Sequence, residues 1–123
     1  MLDLPGSALR GCRLLVVEDD YLIADELQSE LIGAGAEVIG PVSSVAKALQ
    51  VIGADAALDG AVLDVNLGGE MVFPLVDVLR ERGIPAMFMT GYDERAIPAA
   101  YADVPLCTKP AGARQVVRAL RLA

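Results

Sequence analysis

At 123 residues the chain has the length of a single domain and can bury a substantial core. Hydrophobic residues make up 54% of the sequence but aromatic residues only 4%, so Ala, Val, Leu and Ile must build that core, as they do in parallel sheets covered by helices. The net charge of -7 argues against nucleic acid and anionic membrane surfaces as partners of this domain.

Short apolar runs bounded by turn residues alternate along the chain with stretches of helical periodicity. In chain order the predicted elements are a strand at residues 14–17, a helix at 21–32, a strand at 37–40, a helix capped by Ser43 or Ser44 and closed by Gly53, a strand at 60–63, a helix at 70–82, a strand at 86–89, a helix at 93–101, a strand at 106–108 and a helix at 113–122. Residues 1–11 are predicted to be a loose lead-in.

Three prolines modify these predictions. Pro41 is expected to end the second strand. Pro74 falls one turn into the third predicted helix, where proline is tolerated because it lies near the helix start. Pro98 is expected to shorten or kink the fourth helix.

The strict alternation of strands and helices predicts an α/β fold with a parallel sheet and right-handed crossovers. In an open sheet of this kind, functional groups collect at the carboxyl ends of the strands. The first polar residues after the apolar runs are Glu18, Asp19, Asp20, Asp64, Thr90 and Lys109. We therefore expect acidic groups, a hydroxyl and an ammonium group to share one edge of the sheet.

Carboxylates gathered at one edge should hold a proton or a cation, since two of them about 4 Å apart repel by roughly 4 kcal/mol at an effective dielectric of about 20. With oxygen ligands only, Mg²⁺ is the natural cation, and Mn²⁺ can replace it. With a metal in place, Asp64 becomes a candidate nucleophile towards phosphorus. Lys109 can pair with Asp64 and then with a phosphoryl oxygen, and Thr90 can donate its hydroxyl to the same group.

Several residue types and segments are missing from the sequence. There is no histidine, which excludes Ser-His-Asp and Cys-His hydrolases, histidine-ligated zinc and any phosphohistidine carried by this chain. Cys12 and Cys107 lie far apart in or beside apolar strands and are interpreted as reduced, buried thiols. No apolar run approaches the ~20 residues of a membrane span. Residues 1–11 lack the pattern of a signal peptide, so we expect a cytoplasmic protein.

In order and spacing, these polar residues resemble those of the receiver domain of two-component response regulators, and the resemblance covers essentially the whole chain. It implies a flavodoxin-like, doubly wound, five-stranded parallel sheet of order 2-1-3-4-5, written (βα)5. It also implies that residues 12–123 form a single receiver domain, with no effector domain. The implied roles are phospho-acceptor and metal ligand for Asp64, direct metal ligand for Asp19, metal ligand through water for Glu18, metal ligand through its backbone carbonyl for Asn66, switch hydroxyl for Thr90 and essential lysine for Lys109.

The sequence departs from the family pattern at two places. Leu106 stands where the family usually carries an aromatic switch residue, three positions before the lysine. Residues 67–69, Leu-Gly-Gly, replace the usual Met-Pro-Gly loop after the acceptor. Residues 88–92 are similar to the Phe-Ala-Thr-Gly variant subfamily, which also lacks that aromatic and often serves histidine kinases of the HWE type.

The function implied is that of a phospho-acceptor, not an enzyme, which takes a phosphoryl group from the histidine of a kinase or histidine phosphotransfer protein. It would then signal through its surface to an unknown downstream protein. An alternative is a receiver-like interaction module that is never phosphorylated, for which Asp64→Asn would leave partner binding intact. A phosphatase of the haloacid dehalogenase type is a third alternative, but residues 64–66 lack the second acid of its Asp-x-Asp motif.

Simpler interpretations exist for single residues. Residues 18–20 could be acids that cap and begin a helix, and Asp20 could be only the cap. Tyr92 and Tyr101 are interpreted as packing groups. The last helix carries a basic stripe, interpreted as solvated or as a partner surface and formed by Arg114, Arg118 and Arg121.

Overall fold

The computed structural model describes residues 8–54, 57–91 and 97–122. Its centre is a five-stranded sheet of order β2-β1-β3-β4-β5, in which all neighbouring strands are parallel. The strands are β1 (Arg13–Val17), β2 (Glu37–Val42), β3 (Gly60–Asp64), β4 (Ala86–Thr90) and β5 (Leu106–Thr108). The predicted doubly wound α/β sheet of order 2-1-3-4-5 is confirmed.

Four α-helices are present in the described ranges, namely α1 (Tyr21–Gly33), α2 (Val45–Ala54), α3 (Phe73–Glu81) and α4 (Ala113–Leu120). The first ends one residue later than predicted and the last two residues earlier, where Arg121 turns into a left-handed conformation with φ of 55°. The basic stripe of α4 is exposed to solvent along its length. None of the helices in the described part of the chain is both long and apolar enough to cross a membrane.

The core has two halves because successive side chains of a strand point to opposite faces of the sheet. On one face, Leu15 and Leu63 pack against α2 and α3. On the other face, Val16 and Val62 pack against α1 and α4. Since β3 lies in the middle of the sheet, all five of its residues are buried, and its last residue is Asp64.

The prediction that Pro41 ends β2 is wrong. The strand continues through the cis Gly40–Pro41 peptide bond to Val42, with a register shift against β1 between Leu15 and Val17. Proline is tolerated here because β2 is an edge strand, where one side of the backbone needs no ladder partner. The extension has a consequence for the site, since the Val42 carbonyl accepts a hydrogen bond from the Glu18 N–H at 3.0 Å.

The third helix also begins later than predicted. Residues 66–71, which overlap the predicted helix at residues 70 and 71, form an antiparallel hairpin of two short strands, Asn66–Leu67 and Glu70–Met71. Two glycines with positive φ make its turn, Gly68 at 65° and Gly69 at 102°. The helix therefore starts at Phe73, which places Pro74 within its first two positions, where proline is favoured.

The predicted helix at 93–101 is described only in part, because residues 92–96, and with them Tyr92, lie outside the described residues. The described remainder forms a short 3-10 helix, Ala99–Tyr101, after Pro98. Tyr101 is a packing group, as predicted. Its ring stacks on Phe73 with centroids 5.0 Å apart, and its hydroxyl donates to the Asp77 carboxylate at 3.2 Å.

Part of the predicted loose lead-in is packed. Leu9 is fully buried in the half of the core that lies against α1 and α4. Its N–H donates to the Ala34 carbonyl at 2.8 Å, which ties the segment to the end of α1. Cys12, at the end of this segment, is a free thiol and half-buried, as is Cys107, and burial raises the pKa of both.

We expect Leu9→Ala to lower the free energy of unfolding by about 2 to 3 kcal/mol, because it removes a buried aliphatic side chain and leaves a cavity. Arg10→Ala, a change at an exposed side chain in the same segment, should alter it by less than about 0.5 kcal/mol. Urea unfolding followed by circular dichroism measures both. Equal stability of Leu9→Ala and wild type would contradict the packing of this segment.

Candidate functional site

The carboxyl edge of the sheet gathers the polar residues that follow its strands. Glu18 and Asp19 come directly after β1, Asp64 ends β3, Thr90 ends β4 and Lys109 follows β5. Glu18, Asp64 and Thr90 are the buried polar side chains among the described residues, with exposed fractions of 3%, 4% and 8%. Asp19 is exposed.

Lys109 lies between two of the acids. Its Nζ is 2.8 Å from Glu18 Oε1 and 3.1 Å from Asp64 Oδ2. The backbone fixes the start of this side chain, because the Lys109 N–H donates to the Thr90 carbonyl at 2.9 Å and so extends the pairing of β5 with β4. Two buried carboxylates thus face one ammonium group, which leaves an excess of negative charge.

The excess of negative charge shifts the pKa values of the groups in the site. Burial, together with hydrogen bonding to and repulsion from Glu18, raises the pKa of Asp64 to about 7, against the opposing effect of Lys109. Burial alone would lower the pKa of Lys109, but its hydrogen bonds to Glu18 and Asp64 outweigh burial and raise that pKa. At neutral pH, Asp64 is therefore poised between its protonated and charged forms.

Asp20 has a different role from its two acidic neighbours. Its Oδ1 accepts hydrogen bonds from the N–H groups of Leu22 at 3.0 Å and Ile23 at 3.2 Å, which makes it the N-cap of α1. Its own N–H donates to Glu18 Oε2 at 2.9 Å. The simpler interpretation, a helix cap, therefore holds for Asp20, and the cap also orients the Glu18 carboxylate.

The three remaining acids have the chemistry of a divalent cation site. One ligand oxygen each from Glu18, Asp19 and Asp64 lies within 4.8 Å of the others. The donor set contains oxygen only, which suits Mg²⁺ and Mn²⁺ and not the softer metals that need nitrogen or sulfur ligands. The raised pKa of Asp64 points the same way, because the site carries more negative charge than Lys109 neutralises. These residues fit the predicted magnesium ion.

The hairpin at 66–71 approaches two of the acids, Asp64 and Asp19. The Asn66 N–H faces Asp64 Oδ1 at 3.4 Å, and Asn66 Oδ1 accepts a hydrogen bond from the Gly69 N–H at 2.6 Å. A side chain at Gly68 would bring its Cβ to 3.2 Å from Asp19 Oδ2, so a glycine there lets the turn approach the acid closely. The adjacent glycines at 68 and 69 are the sequence signal for this turn, and the prediction of a helix is wrong for residues 70 and 71.

Comparisons with known proteins support the fold and the family of this chain. The sequence matches no family model. It also matches no curated protein sequence. Among solved structures, SdrG from Sphingomonas melonis Fr1 is 36% identical, with a TM-score of 0.79 over 90% of this chain and 94% of SdrG.

Two further solved structures are described as response regulators. A response regulator receiver protein from Sinorhizobium medicae WSM419 is 26% identical, with a TM-score of 0.75 over 92% of this chain and 94% of that chain. The response regulator PhyR from Brucella abortus is 27% identical, with a TM-score of 0.73 over 94% of this chain. The match covers 49% of PhyR, so this chain spans about half the length of that protein.

Proposed function

Since this chain belongs to the receiver domains of response regulators, we propose that Asp64 accepts a phosphoryl group from a phosphohistidine in a reaction that requires Mg²⁺. The observation that carries the proposal is the position of Lys109, whose Nζ lies 3.1 Å from Asp64 Oδ2 and 2.8 Å from Glu18 Oε1. A lysine placed there can neutralise a phosphoryl group that is bonded to Asp64.

In the proposed step, an Asp64 oxygen attacks phosphorus and forms an acyl phosphate. The bond between phosphorus and the imidazole nitrogen of the donor breaks, and that nitrogen keeps the electron pair. Asp64 must be ionised to act as the nucleophile. Its pKa of about 7 means that a substantial fraction of the protein has this form at neutral pH.

A divalent ion would be held by the Glu18, Asp19 and Asp64 carboxylates and by the Asn66 backbone carbonyl. When bound, Mg²⁺ or Mn²⁺ supplies positive charge that neutralises the incoming phosphoryl oxygens. The chain itself supplies the arrangement: Glu18 is oriented by the Asp20 N–H and Val42 carbonyl, and Asp19 lies against the turn at Gly68.

Lys109 and Thr90 are proposed to hold the product. Once Asp64 carries a phosphoryl group, the Lys109 ammonium can move its contact from the Asp64 carboxylate to a phosphoryl oxygen. Thr90 ends the strand next to β3 and is buried, which suits a hydroxyl that donates to the same group. Half-buried Leu106 replaces the aromatic of the family pattern, so the surface change that follows does not use a ring at that position.

The proposed donor is a histidine kinase or histidine phosphotransfer protein, because the chain has no histidine of its own. We assign residues 12–123 to the receiver domain, extended by the preceding segment that the buried Leu9 ties to the end of α1. Its role is that of a cytoplasmic signalling domain that takes part in its own phosphorylation, rather than that of an enzyme acting on other substrates. Its output would pass through its surface to a further protein.

Small phosphoryl donors test the proposal without a known kinase. With acetyl phosphate and Mg²⁺, the intact mass of the wild-type protein should increase by one phosphoryl group, and chelation of the metal by EDTA should prevent the increase. Mn²⁺ should restore it. If the mass does not change with Mg²⁺ present, or rises equally in EDTA, the proposal fails and the unphosphorylated interaction module becomes the better account.

A further inference from the structure

Glu70, in the hairpin after Asp64, makes a contact that joins the site to a helix on another part of the chain. Its Oε1 accepts a hydrogen bond from the backbone N–H of Val45 at 3.3 Å, across 25 residues of sequence. Val45 is the first residue of α2 and is buried in the core. Glu70 lies in the second strand of the hairpin, opposite Leu67.

The start of α2 is a natural anchor for a carboxylate. The first N–H groups of a helix have no partner within it and carry partial positive charge. Ser44 Oγ accepts from the Lys47 N–H at 3.2 Å and so caps the helix. Glu70 takes the Val45 N–H, which the serine does not reach, and adds a negative charge at this end.

The hairpin is fixed at its other end by the sheet and the core. The Val65 N–H donates to the Met89 carbonyl at 3.1 Å, and the Val65 carbonyl accepts from the Val72 N–H at 3.1 Å. Leu67 and Val72 are buried. The segment that follows Asp64 is thus held by β4 on one side and, through Glu70, by α2 on the other.

We propose that Glu70 is a positioning residue for the divalent cation. By holding the hairpin against α2, it keeps the Asn66 backbone in place beside Asp64 and the Gly68 turn in place against Asp19. The inference rests on the proposed magnesium site and adds a residue to it that touches neither the ion nor the phosphoryl group. Residues that hydrogen-bond directly to metal ligands commonly change metal affinity by about 10- to 100-fold when they are removed, and Glu70 acts one contact further out, so we expect a change at the lower end of that range.

Four variants test whether the affinity for the cation depends on the hydrogen bond of Glu70, on its charge or on the general stability of the protein. Glu70→Ala removes the acceptor, while Glu70→Gln keeps an oxygen for the Val45 N–H but loses the charge. Val45→Pro keeps the charge and removes the donor, at a first helical position where proline is favoured. Glu81→Ala is the matched control, because Glu81 is an exposed glutamate at the end of α3.

Calorimetric titration with Mg²⁺ measures the affinity of each folded, unphosphorylated protein for the ion. Hydrogen exchange of the Gly69 amide is measured in the absence of metal. Glu70→Ala and Val45→Pro should bind Mg²⁺ about tenfold more weakly than wild type. Glu70→Gln and Glu81→Ala should stay within about twofold of wild type. The Gly69 amide, which donates to Asn66 Oδ1, should exchange faster in the two weakened variants only.

Two results of the Mg²⁺ titration would overturn the inference. If Glu70→Ala binds Mg²⁺ as tightly as wild type, the contact does not position the site. If Glu70→Ala does not fold, the same conclusion follows from wild-type affinity for Mg²⁺ in Val45→Pro. Equal weakening in Glu70→Ala and Glu70→Gln would show that charge alone matters. Absence of Mg²⁺ binding by the wild type would instead count against the proposed function, and the Gly69 exchange rates would still report whether Glu70 holds the hairpin.

Discussion

Asp64→Asn should reduce phosphoryl incorporation from acetyl phosphate and Mg²⁺ to background. Asparagine keeps the shape of the side chain and an oxygen that faces the Asn66 N–H, but it has no charged oxygen to attack phosphorus. The substitution also removes one carboxylate from the cation site and leaves Lys109 with Glu18 at 2.8 Å. Intact-mass spectrometry at several time points, followed by peptide mapping, measures both the extent and the position of labelling.

Asp77→Asn provides the matched control for this loss. Asp77 is an exposed aspartate of α3, and asparagine retains an oxygen that can accept from the Tyr101 hydroxyl. This variant should be labelled to the same extent as wild type. Undiminished labelling of Asp64→Asn, or a phosphoryl group mapped to Asp19 in the wild type, would show that the acceptor has been misassigned.

The sheet could be predicted because its signals are local. Each strand is an apolar run whose periodicity and bounding glycines or prolines lie within a few residues, and the alternation with helices then fixes the parallel arrangement. The errors came from contacts distant in sequence. Whether Pro41 ends β2 depends on that strand lying at the edge of the sheet, and the burial of Leu9 depends on its bond to Ala34. The edge position of β2 was implied only by the family resemblance, and the bond between Leu9 and Ala34 cannot be identified from the local sequence.

The convergence of the site residues was predictable for the same reason as the sheet. In a parallel sheet every strand ends at the same edge, so the first polar residue after each apolar run must lie there. The second strand of the hairpin could not be predicted in this way. Residues 70 and 71 continue the helical pattern of the residues after them, and the hydrogen bond from Val45 to Glu70 stabilises the alternative across 25 positions. A tertiary contact of this kind overrides local propensity.

The crowding of charge around Asp64 should also make stability depend on pH in an unusual direction. An aspartate that is paired with a cation normally favours the folded state when it is ionised. Here burial and Glu18 together outweigh Lys109, so the pKa of Asp64 rises from 3.8 to about 7 in the folded protein. The folded state therefore binds this proton more tightly than the unfolded state, and ionisation of Asp64 favours unfolding.

In the absence of metal, the contribution of Asp64 to stability is fully present below pH 3.8 and is lost as the pH rises through about 7. Asp64→Asn cannot ionise, so its stability relative to wild type should increase between pH 5 and 8, by about 2 to 3 kcal/mol at most, since about two pH units of that window lie below the pKa of Asp64 in the folded protein. Urea unfolding in EDTA at each pH measures the difference, with Asp77→Asn as the control that follows wild type.

Saturating Mg²⁺ should make wild type more stable than Asp64→Asn at pH 8, because the ion binds the folded wild-type protein with Asp64 ionised and stabilises it. A wild type that is more stable than Asp64→Asn at pH 8 in EDTA would mean that Lys109 outweighs burial and Glu18 at this site.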